Sequence, residues 1–242
     1  MKNSKTMKEI VVGIDLGTTN SCCALWKNKR IEIITDHGNN KLIPSIVYLN
    51  KNELLVGNEV IDTKPLFTHN NIKRLIGRKI TDKRVQEFKK FLSYPISSDD
   101  NNNIIVQTYN GYKTPEEISS IILSKLRTFT NIYLKQNNNK IKAVITIPAY
   151  FNDAQRQATN DAAKIAGIDC IRMINEPTAA ALSYGILGEK SDDERNIIVY
   201  DFGGGTLDVS LLNIDDGIFE VLATTGDSYL GGEDFTQAIY KY

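Results

Sequence analysis

Apolar and polar positions change period several times along this chain, and each change marks an element. Ile10 to Trp26 reads IVVGIDLGTTNSCCALW. That is an apolar run, a Gly-Thr-Thr-Asn break and a second apolar run, which predicts two strands joined by a hairpin. Two more strand-like runs follow, Arg30 to Thr35 and Ile43 to Leu49. From Asn50 to Tyr112 the pattern breaks into short elements and loops, and the polar half of SSDDNNNIIVQTYNG predicts an exposed loop before a strand.

Helical spacing takes over at Thr114. Thr114 is placed as N-cap, Pro115 as the first helical residue and Glu117 as the partner in a capping box. Ile118, Ile121, Ile122, Leu126, Phe129 and Tyr133 then share one face, and QNNNK closes the helix. IKAVITIPAYF is a strand stopped by Pro148, and Asn152-Asp153 opens an alanine-rich helix that ends at Gly167. Ala154, Ala158, Ala162 and Ala166 would let that helix approach a neighbour closely. CIRMINEP is a further strand, and Pro177 begins the helix TAAALSYG. Strand–helix–strand–helix order predicts an α/β fold. The polar stretch Leu187 to Asn196 reads as a connection between two lobes. Beyond it come NIIVYDFGGGTLDVSLLNI, GIFEVLATT and a last helix that has barely started at Tyr242, so the chain reads as a fragment.

Composition narrows the class. Over 242 residues, 41% hydrophobic and 24% charged positions suffice for a soluble globular core. The 29 basic and 29 acidic residues cancel, which gives no electrostatic reason to expect nucleic acid or an anionic membrane as partner. Cys22, Cys23 and Cys170 have neither metal-ligand spacing nor an even-numbered disulfide framework, which fits a reducing compartment. The N-terminal apolar run is short and interrupted by Asp15, and no apolar stretch is long enough to span a bilayer. A cytoplasmic location is therefore expected.

The chemistry gathers at two glycine turns. VYDFGGGTLDVS places Gly203, Gly204 and Gly205 between Asp201 and Asp208. A dinucleotide fingerprint or P-loop would run straight into a helix, whereas LDVSLL alternates like a strand. A hairpin tip whose bare amides can crowd around an anion fits better. The first hairpin repeats the plan, with Asp15 ending a strand before Gly17, Thr18, Thr19 and Asn20. Singly, a GGG hairpin is usually just a turn, and a strand-ending aspartate is usually solvated. Two such units facing each other could clamp a polyphosphate, with the aspartates holding hydrated Mg²⁺ against it.

GIDLGTTNSC, IKRLIGRKI, IPAYFNDAQRQAT, INEPTAAALSYG, DFGGGTLDVS and GDSYLGGEDF together resemble the ATPase domain of the seventy-kilodalton heat-shock chaperones, in order and over nearly the whole chain. The resemblance implies an actin-like ATPase fold of two lobes on ribonuclease-H-like sheets, with ATP or ADP, Mg²⁺ and K⁺ between them. It places the first lobe at 1–189 (core 1–44 and 117–189, small subdomain 45–116) and an incomplete second lobe at 190–242. It assigns Gly17, Thr18, Thr19 and Asn20 to one phosphate loop and Gly203, Gly204, Gly205 and Thr206 to the other. Asp15, Asp201 and Asp208 become the metal carboxylates, and Lys73, Glu176, Asp201 and Thr206 the catalytic set. Pro148 and Arg156 become an interdomain switch. Taken alone, Lys73 would read as a solvated lysine, Glu176 as a helix start, Pro148 as a strand stop and Arg156 as an exposed helix charge.

The same resemblance implies unfolded client peptides, J-domain co-chaperones and nucleotide-exchange factors as partners of the full protein. The remainder of the second lobe and the adenosine loop are expected beyond this chain, which predicts poor stability for the chain alone. Asn20 resembles bacterial and organellar relatives, whereas VQEFKKFLSYPI resembles eukaryotic cytosolic ones. The competing reading is a truncated relative that serves as a non-catalytic interaction module. A sugar kinase or a cell-shape filament protein would lack NEPTAAA together with IPAYFNDAQRQAT.

Overall fold

The computed structural model describes residues 10–63, 68–135, 141–187 (side chains to 184) and 194–242. The hairpin predicted at the start is β1 (Val11–Leu16) and β2 (Asn20–Lys27), followed by β3 (Arg30–Ile34). The expected strand over Ile43 to Leu49 instead splits into β4 (Ile43–Pro44) and β5 (Val47–Leu49). Pro44 has no amide to continue a ladder. Ser45 turns inward, its amide donating to the Thr19 carbonyl at 2.8 Å and its hydroxyl meeting Ser21 Oγ at 2.8 Å. The two halves consequently join different sheets, β4 pairing with β2 and β5 with β6 (Leu54–Val56).

The chain then forms α1 (Asn58–Thr63), a single 3-10 turn over Ile72–Arg74, α2 (Lys83–Phe88) and the small sheet β7 (Ile96–Ser98), β8 (Ile104–Thr108) and β9 (Gly111–Lys113). The polar loop falls between β7 and β8, as expected. Next is α3 (Pro115–Tyr133), whose capping box joins Thr114 and Glu117 in both directions. Then come β10 (Ile141–Ile147), α4 (Asp153–Ile165), β11 (Ile168–Asn175) and α5 (Glu176–Leu187). The last segment holds β12 (Arg195–Phe202), β13 (Leu207–Asp215), β14 (Ile218–Asp227) and α6 (Gly232–Lys241). The stretch QNNNK and most of the polar connection lie outside the described residues.

The main sheet runs β11-β10-β1-β2-β3, with β4 added beside β2. β1, β10 and β11 are parallel, and β1, β2 and β3 are antiparallel. Strict alternation on β10, from Ile141 through Ala143 and Ile145 to Ile147, buries one row of side chains in a core shared with α3 and α4. Val12, Ile14, Cys23, Ile118, Leu123 and Leu126 complete that core, each at most 2% exposed. A fully buried aliphatic side chain stabilises by roughly 1.5–3 kcal/mol, so this layer anchors the fold. The alanine row is only partly as expected. Ala158, Ala162 and Ala166 are buried, but Ala154 is exposed in the first turn. What approaches α4 there is Gly77, at φ +64°, where a Cβ would lie 2.7 Å from the Ala154 carbonyl oxygen.

The second sheet, β12-β13-β14, is different. Its apolar row Ile198, Tyr200 and Phe202 remains 72%, 66% and 40% exposed. α5 touches both sheets, resting on β10 and β11 on one side and on β12, β13 and β14 on the other. Its N-terminal residue, Glu176, is paired with Lys73 and lies within electrostatic reach of Asp15 and Asp208. No described helix is long and apolar enough to cross a membrane.

Candidate functional site

The two turns meet. A Cβ at Gly204 would lie 1.9 Å from Thr19 Oγ1, and one at Gly205 would lie 2.4 Å from Thr18 Cγ2. Only glycine permits this approach of second-sheet backbone to first-sheet side chains. Gly17 is equally constrained, since its Cβ would fall 2.0 Å from the Asn20 carbonyl oxygen. Asn20 itself is exposed at the start of β2.

The backbone of the second turn is held from outside. The Gly203 carbonyl accepts from the Gly232 amide at 3.0 Å and the Gly204 carbonyl from the Glu233 amide at 2.9 Å. The Gly205 carbonyl accepts from Arg74 Nη2 at 2.9 Å and Nε at 3.2 Å. In a planar trans peptide the carbonyl and the following N–H point in opposite directions. Gripping three successive carbonyls on one side therefore turns the amides of Gly204, Gly205 and Thr206 to the other, and among the described residues these amides donate to no protein acceptor. Successive amides aimed one way form an anion-accepting nest.

Beside this nest sit the charged groups. Lys73 Nζ donates to Glu176 Oε1, and their side chains are only 9% and 12% exposed. Burial works against the Lys73 ammonium, but the charges of Glu176, Asp15 and Asp208 outweigh it and raise its pKa. Burial lifts Glu176 to about 7 against the pull of Lys73, with Asp15 and Asp208 adding to the rise. Burial also raises Asp201, helped by Asp15, and raises Asp208 despite a 3.2 Å hydrogen bond from the Ala149 amide. All four groups shift toward holding protons, the three carboxylates chiefly because burial disfavours their charge and Lys73 because the carboxylates around it outweigh burial. Asp15 accepts from Thr146 Oγ1 at 2.9 Å on the adjoining parallel strand.

These residues fit a hydrated divalent cation. Asp201 and Asp208 are direct cross-strand partners, and like charges so placed repel. Asp208 is fully buried, and its carboxylate faces the Tyr150 hydroxyl as well as the Ala149 amide. Thr19 Oγ1, where it meets Gly204, is enclosed with no hydrogen-bond partner among the described residues. Buried polar atoms are normally satisfied, so this orphaned hydroxyl where the two turns meet leaves room for a polar group. Among the described residues no three His, Cys, Asp or Glu groups converge as direct metal ligands. Mg²⁺ keeps much of its water shell, so Asp15, Asp201 and Asp208 would meet it through water.

Pro148 and Arg156 lie one layer back. Pro148 is buried at the end of β10, and its carbonyl accepts from the Phe151 amide at 3.2 Å. Arg156 is half-buried rather than an exposed helix charge. It donates from Nε to the Phe151 carbonyl at 3.0 Å and from Nη2 to Asn175 Oδ1 at 3.3 Å. The turn it braces carries Ala149, which contacts Asp208.

Sequence reasoning did not single out Arg74, Tyr150, Tyr229 or Asp234. Tyr150 packs on Gly226, where a Cβ would lie 2.8 Å from its ring. Its position beside Pro148 in IPAYF was the available signal. Arg74 is flanked by the buried Ile72 and Leu75, and nothing in the motif KRLIGR tells a buried arginine from a solvated one.

Comparison with known proteins covers the chain. A family model described as "Hsp70 protein" matches residues 11–242. The "Heat shock protein 70 homolog" of Acanthamoeba polyphaga mimivirus is 48% identical over 255 aligned positions, covering 99% of this chain and 27% of its own length. Proteins called "Heat shock 70 kDa protein" from Ajellomyces capsulatus and Trichophyton rubrum are 47% and 46% identical over 96% of this chain. They are covered over 33% and 36% of their lengths, so the chain spans about a third of the relatives it matches.

Proposed function

Because this chain belongs to the Hsp70 family, whose ATPase domain has the actin-like fold, we propose that it binds Mg²⁺-ATP between its two glycine turns and carries the groups that hydrolyse it. The observation behind this reading is the enclosed Lys73–Glu176 pair standing among Asp15, Asp201 and Asp208 beside the facing turns. We read 1–189 as the first lobe, with core 1–44 and 117–189 and small subdomain 45–116, and 190–242 as the beginning of the second.

Phosphoryl transfer to water asks mainly for positioning and charge stabilisation. The amides of Gly204, Gly205 and Thr206 would cradle phosphate oxygens on one side, and Gly17, Thr18, Thr19 and Asn20 on the other. Lys73 would meet the charge developing on the transferred phosphoryl group. Glu176 and Asp201 would orient the attacking water, and Thr206 would fix the phosphate nearest it. Mg²⁺, when bound by the nucleotide and by water held on Asp15, Asp201 and Asp208, neutralises phosphate charge; K⁺ is the second expected ion. Pro148 and Arg156 would pass the state of this site outward through the Ala149 contact to Asp208. In the whole protein, placed in the cytoplasm, hydrolysis would control grip on unfolded client peptides, with J-domain co-chaperones and nucleotide-exchange factors as partners.

Single-turnover hydrolysis of Mg²⁺-ATP by the chain and by Lys73→Ala tests the reading. Loss of one such stabilising group should slow turnover by about 100- to 1000-fold. A variant that hydrolyses at the parent rate, or a folded parent that does not hydrolyse, contradicts it.

A further inference from the structure

Arg74 follows Lys73 on the same 3-10 turn, and its side chain is 1% exposed. Its guanidinium makes four hydrogen bonds to the second segment. Nη1 and Nη2 donate to Asp234 Oδ1 and Oδ2 at 3.0 and 2.5 Å, and Nε and Nη2 donate to the Gly205 carbonyl at 3.2 and 2.9 Å. Asp234 also accepts from the Gly231 amide at 2.8 Å, capping the helix whose Gly232 and Glu233 amides hold Gly203 and Gly204. The Arg74 carbonyl accepts from Tyr229 Oη at 3.2 Å. The Tyr229 ring in turn faces Arg74, Arg78 and Arg84 at 5.8, 5.2 and 5.9 Å and meets Phe88 edge-on. Both ends of one residue are thus clamped by the other sheet's outgoing loop.

An ion pair to Asp234 alone would close the two segments. The pair of bonds to Gly205 is not needed for closure. It fixes one peptide plane, and that plane carries the Thr206 amide. We propose that Arg74 is a positioning residue: it sets the Gly205–Thr206 peptide to receive phosphate and ties that setting to closure through Asp234 and Tyr229, so that nucleotide leaves only when this grip breaks. The proposal rests on the nucleotide-binding reading above. The rigid planar fork of arginine holds a carboxylate bidentately and a carbonyl at once, a geometry that the compact ammonium of lysine, with three donors on a flexible stem, does not reproduce.

The test compares the chain with Arg74→Lys, Arg74→Ala, Tyr229→Phe and the exchanged pair Arg74→Asp with Asp234→Arg. Two quantities are read: the dissociation rate of Mg²⁺-ADP, and hydrogen exchange at the Gly232 and Glu233 amides, with Ile145 as a fold control. Arg74→Lys, with Ile145 protection intact, should release Mg²⁺-ADP about tenfold faster or more and speed exchange at Gly232 and Glu233 similarly, since hydrogen bonds of a charged group are lost. Tyr229→Phe should show a smaller change in the same direction. The exchanged pair restores charge complementarity but not the Gly205 contact, so it should recover melting temperature without recovering slow release. Recovery of both would reduce Arg74 to an ion-pair partner and overturn the proposal. Should the parent bind no Mg²⁺-ADP, the nucleotide-binding reading fails, and the role built on it fails with it. Parent-like exchange at Gly232 and Glu233 in Arg74→Lys and Arg74→Ala overturns the grip itself even if the parent binds nucleotide.

Discussion

Asp201 and Asp208 stand directly opposite each other on β12 and β13, and Asp208 is completely buried. Cross-strand like charges cost up to about 1 kcal/mol, and this pair is further raised by burial. Asp208→Asn keeps an acceptor for the Ala149 amide and removes the repulsion. Without Mg²⁺ it should melt about 2–4 °C higher. With Mg²⁺-nucleotide the gain should reverse, because a cation-facing oxygen is gone. Thermal melts in chelator and in Mg²⁺-ADP check both signs, and a variant less stable than the parent in chelator contradicts the account.

Gly204→Ala should keep the fold and lose the clamp. The added Cβ collides with Thr19 Oγ1 at 1.9 Å and Thr19 Cβ at 2.7 Å, so the turns must separate. Overpacking of this kind costs about 1–3 kcal/mol, a loss of roughly 10- to 100-fold in nucleotide affinity. Adding Thr19→Gly should restore part of it. Calorimetric affinities of the three chains decide, and unchanged binding by Gly204→Ala would mean the turns do not jointly hold the ligand.

Much of this arrangement was legible from residue types with local meaning. Thr114, Pro115 and Glu117 announce a cap whatever surrounds them, and the glycine turns between alternating segments announce hairpins. The split of Ile43 to Leu49 was not legible, because Ser45 leaves the strand for partners supplied by Thr19 and Ser21. Lys73 and Arg74 read alike in KRLIGR, and only packing distinguishes them. Their short turn pairs one with Glu176 and the other with Gly205, partners 103 and 131 residues away. Local pattern carries no information about such distances.

Thr114→Ala serves as a stability control. It removes the reciprocal bonds between Thr114 and Glu117 and should cost about 1 kcal/mol. The cap lies away from the glycine turns, so Mg²⁺-ADP affinity at a temperature well below melting should match the parent. Melting and titration on one preparation check this.

His69 links stability to pH. It is fully buried, with Nε2–H donating to the Gln107 carbonyl at 2.9 Å, and burial lowers its pKa below 6.5. The unfolded chain therefore binds a proton before the folded one does. The contribution of His69 is complete above about pH 6.5 and declines as pH falls below it, by at most about 1.4 kcal/mol per pH unit. His69→Gln should flatten this part of the profile. The difference between parent and variant unfolding free energies from pH 7.5 to 5 isolates it from carboxylates shifted the other way. A difference independent of pH would show that His69 does not titrate in this window.

The central claim is that two facing glycine turns and their aspartates hold a magnesium nucleotide. Calorimetric titration of the chain with ADP and Mg²⁺, beside Asp201→Ala, tests it most directly. The account predicts single-site binding by the parent and its loss in a variant that retains the parent's circular dichroism spectrum. A folded parent that releases no binding heat at any temperature tried and gains no thermal stability from Mg²⁺-ADP, or a variant that binds as the parent does, contradicts it.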